Sequence, residues 1–146
     1  MLDIVIIGSG PAGLSAAIYG SRSGLDILVI EKISHGVGQI AEADCINNYL
    51  GFSSIRGFEL GMQFRTHAEA CGVRFQESEA IKLERTDACW KIYAKDGSCI
   101  QSKTVIYAAG ASHRHLNVFG EEALIGKGVS YCATCDGTFY KGKDVA

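Results

Sequence analysis

The chain has 146 residues, 47% of them hydrophobic and 21% charged, with a single proline. That composition excludes a disordered polypeptide, and a domain of this length buries roughly 70% of its unfolded surface. Fourteen Lys and Arg against sixteen Asp and Glu give a net charge of −2, so no nucleic-acid footprint and no polybasic membrane contact are expected.

Leu2 to Ile7 is a short apolar run rich in β-branched residues, the pattern of a strand buried on both faces of a parallel sheet. Gly8-Ser9-Gly10-Pro11-Ala12-Gly13 follows at once. Pro11 suits the first turn of a helix, and Leu14, Ala17 and Ile18 recur at helical spacing until Gly24 offers a stop. Asp26 to Glu31 predicts a second buried strand, so residues 1–31 form a βαβ unit. Lys32 to Arg56 hold no sustained period, which is long for a plain connection and points to a ligand-binding segment. Leu60, Phe64, Ala68 and Cys71 mark one face of a helix over Phe58 to Cys71, closed by Gly72. Short strands are predicted at Val73 to Phe75, Ala80 to Leu83, Cys89 to Ala94 and Thr104 to Ala108, with a hairpin at Asp96-Gly97. From Ser112 to Gly128 the sequence is polar and glycine-punctuated, and Val145-Ala146 reads as the opening of another buried strand, as in a fragment of a longer protein.

No apolar run approaches the ~18 residues of a membrane span. Met1-Leu2-Asp3 lacks the basic region of a secretory leader, so a cytoplasmic location is expected. Six cysteines are too few for a disulfide scaffold. In a reducing compartment, a close pair among them indicates redox or metal chemistry.

Two motifs carry chemistry. In Gly8-x-Gly10-x-x-Gly13, the first glycine permits the tight turn out of the strand, the second lets backbone approach a pyrophosphate, and the third lets the helix pack on the sheet. Glu31, at the end of the next strand, can accept hydrogen bonds from ribose hydroxyls and would repel a 2′-phosphate, which favours FAD or NAD over NADP at this site. In Cys132-Ala133-Thr134-Cys135-Asp136-Gly137, the spacing allows a reversible disulfide and Asp136 is a candidate proton donor and acceptor. Half of a zinc site, with His113 and His115, and an inert buried pair are the alternatives. Cys45, Cys71, Cys89 and Cys99 are expected in core packing, His35 and His67 at the surface or capping, and Trp90 and Tyr93 in structural roles. A flavin would link a nicotinamide hydride donor to a dithiol.

The chain resembles the low-molecular-weight, bacterial-type thioredoxin reductases over nearly its whole length. The likeness rests on residues 6–13, Gly38-Gln39, residues 48–52, Ala108-Ala109-Gly110-Ala111 and, most specifically, residues 128–137 with their Cys132-Ala133-Thr134-Cys135-Asp136-Gly137 core. It implies an α/β, Rossmann-like, three-layer FAD-binding domain. Residues 1–111 would be its N-terminal half, and residues 112–146 the start of an inserted pyridine-nucleotide domain carrying the cysteine pair. Gly8, Ser9, Gly10, Pro11, Ala12 and Gly13 would hold the FAD pyrophosphate and Glu31 the ribose. Gln39 and Asn48 would lie near the flavin ring, and Ala109 and Gly110 would close over the cofactor. Cys135 would take electrons from the flavin, Cys132 would attack the partner's disulfide, and Asp136 would serve as acid and base.

The implied activity is FAD-dependent reduction of a protein disulfide, thioredoxin above all, by NADPH, in a homodimeric full-length enzyme with no resident metal. Rivals are a relative fed by ferredoxin or NADH, one serving a peroxidase, or a non-catalytic flavin-binding fragment whose cysteines are structural or hold zinc. Leu50 and Phe119 stand where the family usually has proline, and Ala109 where threonine is frequent.

Overall fold

The run of β-branched residues at the N-terminus has no polar face to offer water, so it extends as a central strand, β1 (Leu2–Ile7). In the computed structural model, which describes residues 1–146 apart from the side chains of Thr134 and Cys135, β1 lies between two parallel neighbours. On one side is β2 (Ile27–Glu31), reached through helix α1 (Pro11–Arg22); on the other is β6 (Cys99–Tyr107). The remaining elements of this part are α2 (Gly57–Ala70), β3 (Arg74–Glu77), β4 (Ala80–Arg85) and β5 (Trp90–Ala94). The strand order is β3-β2-β1-β6-β5-β4, parallel from β3 to β6 and antiparallel from β6 to β4.

Successive side chains of a strand face opposite ways, and the two faces of β1 serve two cores. Ile6 joins Leu14 and Ala17 of α1, Ala68 of α2, and Ile27 and Val29 of β2. Val5 and Ile7 join Ile30 and Ile92, and Ile92 comes from β5. The β4-β5 hairpin therefore covers the face that the helices leave open, giving the three expected layers: helices, parallel sheet, antiparallel strands. Close contact between α1 and the sheet depends on Gly20, where a Cβ would lie 2.3 Å from Ile27 Cδ1.

Several sequence expectations are corrected. The strand placed at Thr104 to Ala108 is the second half of the longer β6, which pairs with β5 through Cys99–Ser102 and with β1 through Ser102–Tyr107. The turn at Asp96-Gly97 joins β5 to this strand, with Gly97 at φ +87°. The cysteines expected in the core are not buried there: Cys45 and Cys99 are exposed and Cys71 and Cys89 half-buried. Cys45 lies in a loop, where its thiol meets the Ser54 hydroxyl at 3.2 Å. Cys99 lies in the β6 segment paired with β5, opposite Tyr93. Val145 forms no strand and is 73% exposed, because no described ladder receives it.

The chain divides into two units, Met1–Gly110 and Ala111–Ala146. The second contains short helices α3 (Glu121–Leu124) and α4 (Ala133–Asp136). Among the described residues, no helix is long and apolar enough to cross a membrane.

Ile6 has no exposed surface and joins both helices to the sheet. Its replacement by alanine is expected to lower unfolding free energy by about 2–5 kcal/mol, measured by denaturant titration followed by circular dichroism.

Candidate functional site

The switch point of the sheet lies at β1, where the chain goes to β2 on one side and returns through β6 on the other. Ligands of open α/β sheets sit beyond the carboxyl ends of the strands at such a point. The glycine turn occupies this edge: the Gly8 amide donates to Ile30 O at 2.9 Å, and the Ala108 amide donates to Ile7 O at 2.8 Å. A cleft of about 260 Å³ opens beside it, lined by Gly8, Lys32, Ser78, Glu79 and Ala109 among others.

The three motif glycines have different reasons to lack a side chain. Gly8 has φ +106°, and a Cβ there would lie 2.2 Å from Ala108 O; at Gly13 it would lie 2.0 Å from Gly8 O. The fold alone forbids a side chain at both. Gly10 differs: its φ is −70°, and a Cβ would find nothing closer than Gly38 Cα at 3.8 Å. Nothing in the protein excludes a side chain at Gly10, so the open space fits an external group that approaches the backbone.

Gly10 is also the N-cap of α1, with no side-chain cap and Pro11 in the first turn. The first-turn amides are therefore left for an anion. Buried Ser9 donates to Gly36 O, tying the glycine turn to the loop after β2. Pro11 and Ala12 are exposed at the start of the helix. The residues fit a dinucleotide pyrophosphate on these observations.

Glu31 is where the βαβ reading puts it, at the end of β2, but it is only 4% exposed and already partnered. Arg65 Nη1 donates to both carboxylate oxygens, at 2.8 and 2.7 Å. Arg65 Nε donates to Glu69 at 2.7 Å, and the guanidinium lies 3.4 Å from the Phe75 ring centroid. Buried charges are tolerated when paired and hydrogen-bonded in this way. Each Glu31 oxygen keeps a lone pair for a hydroxyl. The sequence reading missed Arg65, which stands beside Phe64 on a helix whose apolar face alone was used; the only local signal is Glu69 four residues on.

Gln39 is exposed in a helical turn over Gly38–Glu42, beside Gly10 through its neighbour Gly38. Asn48 is exposed in the loop before Tyr49, whose ring packs on Phe64 with centroids 5.4 Å apart. Ala109 and Gly110 are exposed after β6, Ala109 on the cleft wall. Two of the three positions that depart from the family pattern present bare apolar side chains: Leu50 is 98% exposed and Phe119 fully so.

In the second unit, Cys132 is disulfide-bonded, and Cys135, as a side chain, lies outside the described residues. The Asp136 amide donates to Cys132 O at 3.0 Å, closing one helical turn over the cysteine motif. The Ser130 hydroxyl donates to Asp136 Oδ2 at 2.6 Å and accepts from the Cys132 amide at 3.1 Å. His113 and His115 gather on Tyr131 instead of a metal-like cluster: His113 stacks on its ring at 4.4 Å. Among the described residues, no three His, Cys, Asp or Glu side chains form a group that could hold a metal ion.

Glu121 anchors the segment leading to the cysteine motif. It is buried and accepts from the Tyr131 hydroxyl, from the Leu116 amide at 3.1 Å and from the Asn117 amide at 2.6 Å, with His115 Nδ1 at 2.9 Å. The Tyr131 bond first, then His115 and the two amides, bring its carboxyl from 4.5 down to about 2 against the opposing effect of desolvation. A carboxyl lowered by folding stabilises fully above its unfolded value of 4.5, and that contribution is lost as pH falls through about 2. Hydrogen-exchange protection of the Leu116 and Asn117 amides is therefore expected to fall across this acid range, and Glu121→Gln should remove that dependence.

Residues 2–146 match the pyridine nucleotide-disulphide oxidoreductase family. Among curated proteins, the chain is 42% identical to a thioredoxin reductase from Bacillus subtilis, over 98% of its own length and 45% of that protein's. It is 41% identical to one from Mycoplasma genitalium, with the same coverage. The fold superposes on a thioredoxin reductase of Lactococcus lactis with a TM-score of 0.80 at 40% identity, covering 96% of this chain and 46% of that one. A ferredoxin-flavin thioredoxin reductase from Clostridium acetobutylicum gives 0.71 at 33% identity, covering 95% and 47%. The chain thus spans about 45% of the length of the curated relatives it matches. Its glycine turn at the switch point, its three layers and its full-length match together mean that the chain belongs to the pyridine nucleotide-disulphide oxidoreductase family.

Proposed function

We propose that these residues form part of a cytoplasmic, homodimeric flavoenzyme that reduces a protein disulfide, thioredoxin being the foremost substrate and NADPH the electron source. In that enzyme, residues 1–111 belong to the FAD domain and residues 112–146 open the nucleotide domain. The observation that carries the reading is Cys132 in disulfide form one helical turn before Asp136. The unexplained bareness of Gly10 supports the cofactor. FAD bound at the glycine turn would accept a hydride and pass two electrons on to the cysteine pair.

The chain's own residues then have definite tasks. Backbone amides of Gly10, Ala12 and Gly13 hold the pyrophosphate, Pro11 having no N–H to give, and Ser9 keeps the turn closed against the loop after β2. Glu31 receives the ribose, Ala109 and Gly110 close over the cofactor, and Gln39 and Asn48 lie toward the flavin ring. With the pair reduced, Cys132 thiolate attacks one sulfur of the substrate disulfide. A Cys132–substrate S–S bond forms, the substrate's own S–S bond breaks, and Asp136 gives a proton to the departing sulfur. Cys135 loses its thiol proton and attacks Cys132, expelling the second substrate sulfur, which takes a proton. The substrate gains two electrons and two protons, and the pair returns to disulfide.

A second electron source, ferredoxin, is favoured by the resemblance to the Clostridium acetobutylicum protein. Purified full-length protein is expected to show a flavin spectrum that NADPH bleaches and oxidised thioredoxin restores. Bleaching by reduced ferredoxin and not by NADPH would establish the second source. Stoichiometric zinc with a redox-silent cysteine pair would overturn the whole reading.

Cys135→Ser should leave flavin reduction intact and abolish disulfide reduction, measured by stopped-flow absorbance and insulin turbidity. Gly10→Ala should fold normally yet bind FAD ~10-fold or more weakly, because the added methyl occupies ligand space and not protein space; equilibrium dialysis checks this.

A further inference from the structure

Resting on the proposed role of Asp136, we infer that Ser130 is the positioning residue that fixes this carboxylate for proton exchange at the cysteine pair. Its single hydroxyl makes both bonds a serine hydroxyl needs to act as a fixed bridge. The oxygen accepts the Cys132 amide at 3.1 Å, and the hydrogen goes to Asp136 Oδ2 at 2.6 Å. Acceptance from the amide orients the hydroxyl, and the length of the second bond is that of a charge-assisted O–H to carboxylate bond.

The bridge ties the carboxylate to the backbone of the cysteine whose sulfur attacks the substrate. Asp136 is attached to the same residue by its own amide, which donates to Cys132 O at 3.0 Å. Two links from Asp136 to one residue remove most of the freedom of a short side chain at the end of a single helical turn. Oδ2 is occupied by Ser130, and Oδ1 accepts no bond among the described residues, so Oδ1 is the oxygen left to carry a proton to the departing sulfur.

Ser130 itself exchanges no proton in the net reaction. The proton that Asp136 gives up is replaced from solvent between turnovers. Loss of the bond frees the Asp136 carboxylate to turn away without touching either sulfur.

The test uses the full-length flavoprotein and its two half-reactions, followed by stopped flow. Ser130→Ala is expected to leave flavin reduction by NADPH unchanged and to slow reduction of oxidised thioredoxin at pH 7 by roughly tenfold, the loss of one hydrogen bond to a charged group. Ser130→Thr, which keeps the hydroxyl, should restore the rate. In an Asp136→Asn background, Ser130→Ala should cause no further loss. Equal, additive losses in both backgrounds, or an undiminished rate of thioredoxin reduction in Ser130→Ala, would overturn the inference. A normal rate in Asp136→Asn alone would instead defeat the role given to Asp136, so the two failures are distinguishable.

Discussion

The parallel pairing of β1 with β2 on one side and β6 on the other is the constraint on which the rest depends. It brings the carboxyl ends of three strands to one edge, and the only exit from β1 at that edge is a turn with φ +106° at Gly8. The turn delivers an uncapped helix N-terminus to the same edge. The helix cannot retreat, because the Cβ space of Gly13 is filled by the carbonyl of Gly8. The proposed anion site follows from packing that would be needed even without a ligand, and Gly10 is the exception, open to the outside.

The second unit relies on carboxylates that organise backbone. Glu121 gathers two amides, a tyrosine hydroxyl and a histidine; Asp136 is bridged by Ser130 to the amide before α4. This unit leaves Leu116, Val118, Phe119, Leu124 and Ile125 exposed, so burial does little to order it, and charge-assisted bonds take over that task.

The sequence makes the βαβ unit legible because every local signal agrees: β-branched runs, a glycine turn, Pro11 in the first turn of α1, and Gly24 after it. The first half of β6 was not legible. Gln101, Ser102 and Lys103 are polar, yet Ser102 is wholly buried and its hydroxyl bonds Thr104 O at 2.7 Å. The Arg65–Glu31 pair was hidden for a different reason: its partners lie 34 positions apart, on a helix and a strand that only tertiary packing brings together. The four lone cysteines resemble core residues by type, but type says nothing about which face of a hairpin or loop a residue occupies. The cysteine motif and its aspartate are legible because their spacing is local, whereas Ser130 acquires a role only when the turn is formed.

The double pairing of β6 carries a wider consequence. One uninterrupted backbone serves as the last rung of the antiparallel layer at Cys99–Ser102 and as the flank of the central strand at Ser102–Tyr107, then runs directly into the cleft wall at Ala109. The outer hairpin is thus no detachable ornament. Any slippage of its register moves every later residue of β6 by the same step and misplaces the far rim of the cleft beside the glycine turn, so the layer most remote from the helices sets the dimensions of its mouth.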